Sequence, residues 1–75
     1  MITETVLHDS ATDRWIRGIN CLIPNLQVGQ TIKVMASKQK GYSSTLYRID
    51  RIETTIGLDA DAVIQHVAVT EVKLK

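Results

Sequence analysis

The sequence predicts an α+β domain. Two amphipathic helices, about 10–23 and 43–56, pack on one face of a small mixed or antiparallel sheet built from about 2–7, 30–36 and 62–74. Three observations carry that expectation. Two segments repeat apolar residues at helical spacing. Three others are short, β-branched and alternating. The order strand, helix, strand, helix, strand lets two helices cover one sheet face and bury both apolar stripes. All-parallel sheets usually carry helices on both faces, which two short helices cannot supply, so a mixed or antiparallel sheet is preferred.

Residues 2–7, ITETVL, are rich in β-branched types and read as a short strand, with His8 and Asp9 as the turn after it. Residues 10–23, SATDRWIRGINCLI, follow a helical stripe. At about 100° per residue, Ala11, Trp15, Ile16, Ile19, Leu22 and Ile23 fall within about 140° of arc. Asp13, Arg14, Arg17 and Asn20 fall outside it. Ser10 is placed to cap the first turn with Asp13 as a capping-box acid, and Pro24 disfavours helix at Ile23. Gly18 weakens the helix interior by about 1 kcal/mol relative to Ala. Trp15, the single tryptophan, lies inside the wedge and is expected to anchor the core, with a protein-contact hot spot as the alternative.

Residues 30–36, QTIKVMA, alternate as a strand, with Ile32, Val34 and Ala36 on one face and Thr31, Lys33 and Met35 on the other. In residues 43–56 propensity and period disagree. Thr, Ile and Tyr favour strand. At helical spacing, however, Leu46, Ile49, Ile52 and Ile56 form one wedge, with Ser43 as N-cap and Gly57 as C-cap. As a strand the pattern fails unless it contains a bulge. Helix is the expectation, and it turns Tyr47, Arg48 and Arg51 outward. Residues 62–74 close the chain as a strand whose first half is apolar on both sides.

The 75 residues form one domain, 1–75, too short for a second. A chain this short buries only about 60–65% of its unfolded surface, so its stability is marginal. Cys21 is the single cysteine, which excludes an internal disulfide and fits a reducing compartment. The N-terminus lacks signal-peptide character and no apolar run approaches the ~20 residues of a membrane span, so a cytoplasmic protein without membrane association is expected.

Catalytic signatures are sparse. No glycine-rich phosphate loop and no GxSxG elbow occur, and His8 and His66 stand at opposite ends of the chain. Asp59 and Asp61 lack the following ligand and glycine of a calcium loop and read as turn residues. The expectation is a non-enzymatic protein without metal or cofactor.

Net charge is only +1, but Lys38, Lys40, Arg48 and Arg51 face a single acid, Asp50, within residues 37–51. Lys38, Lys40, Ser43 and Ser44 cluster at the expected helix start, where unpaired N–H groups attract phosphate. Tyr47, Arg48 and Arg51 add a stacking ring and two bidentate donors. These seven residues are the candidate nucleic-acid-binding site. GYSSTLYR, residues 41–48, resembles the turn and recognition-helix start of helix-turn-helix DNA-binding proteins. It departs from that pattern because QTIKVMASKQK before it is strand-like, and Ala36 to Gly41 is one residue too long. The leading expectation is a small binding module for nucleic acid. The alternative is a small regulator or inhibitor that binds a protein target, with homodimerisation through an unprotected sheet edge.

Overall fold

The computed structural model describes residues 1–35 and 44–73, and among them there is no helix. Five strands form one sheet curled into a half-barrel: β1 (Ile2–Asp9), β2 (Trp15–Ile19), β3 (Thr31–Met35), β4 (Ser44–Gly57) and β5 (Ala62–Val72). Their spatial order is β2-β1-β5-β4-β3. β1 and β5 run parallel, and every other pairing is antiparallel. The fold is therefore all-β, not two helices on a sheet. β1, β3 and β5 lie where strands were expected, except that β1 runs on through His8 and Asp9, which were expected to turn, because both pair with β5. The expected helices 10–23 and 43–56 are overturned, the first by β2 with its flanking turns and loop, the second by β4.

Both corrections have one physical cause. In the β1–β2 ladder Leu7 faces Arg17 and His8 faces Trp15, so Ile16 is an extra residue. In the β4–β5 ladder Ile49 faces Val69 and Arg51 faces Ala68, so Asp50 is extra. A β-bulge of this kind breaks strict alternation and lets residues three apart share a face. Ile16 packs on the core and Ile19 lies opposite Thr5, while Ile49 and Ile52 lie opposite Val69 and Val67. Spacing of three is also helical spacing, so each bulge imitated a helical stripe. The imitation ends at its margins. Leu46 lies opposite Val72 on the far face, and Ile56 is 64% exposed.

The core occupies the concave face. Leu7, Ile49, Val67 and Val69 form its buried centre, with Ile16, Leu26, Ile32, Val34, Tyr47 and Ile52 packed around them. The half-barrel stays open between β2 and β3, where Arg17 Nη1 reaches the Met35 carbonyl at 3.4 Å. One end is covered by the loop 20–30. Buried Thr5 donates its hydroxyl to the Cys21 carbonyl at 2.7 Å. Gln65 then pairs with Ile23 as a strand would, Oε1 accepting from the Ile23 N–H at 3.2 Å and Nε2 donating to its carbonyl at 3.4 Å. Gly29, at φ 91°, makes the bend that returns this loop to β4 and donates its N–H to the Ile49 carbonyl at 2.8 Å.

The first turn is capped by Asp9 rather than by Ser10. Asp9 Oδ1 accepts the N–H groups of Ala11 and Thr12 at 2.9 and 3.0 Å, which holds its carboxyl below the usual range. Ser10 serves the second bulge instead. Its hydroxyl donates to Asp50 Oδ2 at 2.8 Å, the Thr70 hydroxyl donates to the same oxygen, and Arg48 Nε lies 3.0 Å from Oδ1. These bonds, that of Thr70 foremost, lower the Asp50 pKa from 3.8 to about 2.

Two predictions follow from this architecture. A carboxylate with a depressed folded pKa stabilises the fold above its unfolded pKa and loses that contribution as pH falls through the folded one. The melting temperature of the wild type should therefore exceed that of Asp50→Asn near neutral pH, and the gap should close between pH 3.8 and about 2. Urea denaturation separates strand from helix. In protein too dilute to self-associate, Leu7→Ala should cost about 2–5 kcal/mol, whereas Ile56→Ala should stay within about 0.5 kcal/mol. A helical 43–56 would bury Ile56 and make both costly.

Candidate nucleic-acid interface

The convex face is built in rows by the strand register. One row runs Trp15, His8, Ala68, Arg51 across β2, β1, β5 and β4. The next runs Gly18, Val6, His66, Glu53. Towards the other end, Arg48 lies between Thr70 and Thr31, and Leu46 lies between Val72 and Lys33.

Trp15 is 67% exposed and is not the core anchor that its helical position implied. A side chain on Gly18 would begin 3.7 Å from the indole Cζ2, so the ring lies over the glycine. The sheet supports one side of the indole and leaves much of the ring to solvent. A ring held that way keeps one face open to a planar partner.

The parallel pairing of β1 with β5 brings the two histidines onto neighbouring strands, which their separation in sequence concealed. His8, His66, Arg51, Glu53, Asp13 and Thr55 surround a shallow cavity of about 240 Å³ with Ala68 beside them. His8 Nδ1 is 2.9 Å from Asp13 Oδ1, with no hydrogen bond formed between them. Asp13 reaches that position from a left-handed backbone conformation, φ 61°. Among the described residues no group of three or more His, Cys, Asp or Glu side chains is arranged to hold a metal ion.

Lys33 and Lys73 border one depression with Ser44 and Glu71 at the start of β4, and Arg48 follows on the same strand. At the opposite end lie Asp59 and Asp61, in or beside the β4–β5 turn, with Asp61 Oδ2 3.4 Å from the N-terminal amine.

Of the seven candidate residues, Lys38, Lys40 and Ser43 lie outside the described residues. Ser44 is exposed and faces Met35. Arg48 and Arg51 share the convex face because the bulge at Asp50 intervenes, not because they sit on a helix. Tyr47 does not join them. It faces Ile32 on the concave side and packs on the core. Ser44 to Arg48 is strand, so neither a helix terminus nor a recognition helix exists there. Residues that helical reasoning did not assign to the face are Trp15, His8, His66 and Lys33. The wet-face position of Lys33 was visible in the alternation of QTIKVMA. The glycine three residues after Trp15 was a weaker signal.

No protein-family model, curated protein or solved structure matches the chain. Fold and face together define a class: a five-stranded all-β half-barrel with an apolar concave side and a convex side that carries an exposed indole and mixed charge, Glu4 and Glu53 beside Lys33, Arg48 and Arg51.

Trp15 fluorescence checks the exposure of the ring. Its emission should be that of a solvent-exposed indole, readily quenched by iodide. Trp15→Ala should change stability by no more than about 0.5 kcal/mol, against about 3–5 kcal/mol for a buried tryptophan.

Proposed function

We propose that the chain is a non-catalytic binding module whose convex face takes single-stranded nucleic acid. The observation that carries this reading is the register itself. It sets Arg51, Arg48 and Lys33 along one exposed face, leading to the end where residues 36–43 join β3 to β4, with exposed Trp15 in the same row as Arg51. Cations fix phosphates and the indole stacks a base, a combination that tolerates many sequences. A curved face without a projecting helix suits an unpaired strand better than a major groove, which admits a helix or a two-stranded ribbon. The acids temper the affinity, because Asp50 already engages Arg48 and Glu53 is close to Arg51 in sequence and on the face.

Anisotropy titration of a labelled single-stranded oligonucleotide tests the proposal. Binding should appear at about 50 mM salt and weaken with a log–log slope near −2 for about three phosphate contacts. Trp15→Ala should cost about 1–3 kcal/mol and should abolish the fluorescence quenching seen on binding. Arg48→Ala with Arg51→Ala should flatten the salt slope by about 1–2 units. Absence of binding at low salt, or binding indifferent to all three substitutions, rejects the reading and favours the protein-binding alternative.

A further inference from the structure

We infer that the free edge of β4, residues 51–57, pairs with the same edge of a second copy to form a two-fold dimer. β4 is the longest strand, and β3 covers only its first part, from Ser44 to Arg48. The cover ends where Ile49 exchanges hydrogen bonds with Gly29 and Gln30. Beyond the bulge, Arg51 to Gly57 pair with β5 on one side and with none of the described residues on the other. Ladder alternation then directs the N–H and C=O groups of Ile52, Thr54 and Ile56 away from β5. Seven residues span about 24 Å at strand rise. Sheet edges are normally blunted by lysine, proline, bulges or a covering segment. RIETTIG has neither lysine nor proline, and Arg51 and Glu53 project on the convex face rather than along the edge.

The occupant is a second copy because this edge is complementary to itself. With a two-fold axis at Thr54, Ile52 of one copy lies opposite Ile56 of the other, Glu53 opposite Thr55, and Arg51 opposite Gly57. The concave-side residues Ile52, Thr54, Ile56 are a palindrome about that axis, and no like charges meet. Registers shifted towards the bulge are worse. An axis at Glu53 sets two glutamates against each other. An axis at Ile52 drives the second strand into the Gly29–Gln30 loop.

The Thr54 register also sets Leu58 of each copy, 87% exposed, opposite Asp50 of the other, next to the Gly29–Ile49 bond and so one residue from Val28, 64% exposed. Ile56, 64% exposed, is covered as well. Burial is scarce in the single chain: six hydrophobic residues among those described are buried, so added apolar contact has large relative value. The seam is small for an interface, and dissociation constants on the order of micromolar are expected.

Sedimentation equilibrium from about 10 µM to about 1 mM should show a monomer–dimer equilibrium, and a monomer throughout overturns the inference. Thr54→Lys opposes two cations at the axis and should weaken the dimer at least about tenfold. Thr54 is exposed, so circular dichroism should report an intact fold. In a Cys21→Ser background, Thr54→Cys should yield a disulfide-linked dimer under mild oxidation, because paired Cα atoms about 5.5 Å apart suit that bond. Thr31→Cys on the β3 edge should not. A dimer indifferent to Thr54→Lys, or cross-linking at position 31 in place of 54, overturns the seam. None of these readouts requires nucleic acid, so they stand or fall separately from the binding reading.

Discussion

Asp50 occupies the point on which both faces of the sheet depend. As the extra residue in β4 it resets the alternation of the longest strand. Before it, Tyr47 and Ile49 point to the concave side; after it, Ile52 takes that side. Were Asp50 to take an ordinary place in the alternation, Arg51 would turn into the core and Ile52 into solvent, since a one-residue slip exchanges the two faces. The carboxylate makes the irregularity stable. It collects Ser10 from the β1–β2 turn, Thr70 from β5 and Arg48 from its own strand. Three chain segments are thereby fixed to one oxygen pair, and the lowered pKa registers how well the charged form is held.

A second polar lock works at the other end of the concave face. Thr5 and Gln65 face each other across the parallel β1–β5 pair and hold the backbone of Cys21 and Ile23. The two polar groups sit among apolar neighbours without orphaned atoms, because the loop brings its peptide groups to them. The locks divide the labour of the sheet. The concave side is closed by its own loop and carries the core. The convex side has no covering element among the described residues, and it holds the exposed indole, the histidines and the cations.

This arrangement explains what was legible in the sequence. β1, β3 and β5 keep period two without interruption, or nearly so, and each was recognisable from its residues. β2 and β4 each carry a bulge, and a bulge turns Ile16 with Ile19, and Ile49 with Ile52, into pairs at helical spacing. The β-branched content of both segments pointed to strand, and tertiary pairing agreed with that propensity against the period. The candidate site fared the same way residue by residue. Arg48 and Arg51 share a face under either geometry, because three apart is adjacent on a helix and also across a bulge. Tyr47 differs, since in a strand it cannot share the face of Arg48. The His8–His66 neighbourhood was illegible because it arises from parallel pairing of the two ends of the chain, which no local pattern encodes.

The proposed binding face and the inferred dimer seam use different parts of one strand. The former draws on the convex side chains from Trp15 to Arg51, Arg48 and Lys33. The seam draws on the backbone edge from Ile52 to Ile56. A two-fold axis perpendicular to the sheet, which antiparallel pairing at Thr54 requires, leaves both convex faces on the same side. Two copies of a modest, partly neutralised site would then lie along one surface, joined at the strand that carries the arginines. Linking two weak sites converts the second contact into an intramolecular one and raises the overall affinity without any new contact. A single chain of net charge +1 has little electrostatic attraction of its own. For such a chain, doubling the face by sheet extension is a more effective route to holding a polyanion than adding charge to a sheet whose fold already depends on the Asp50 carboxylate.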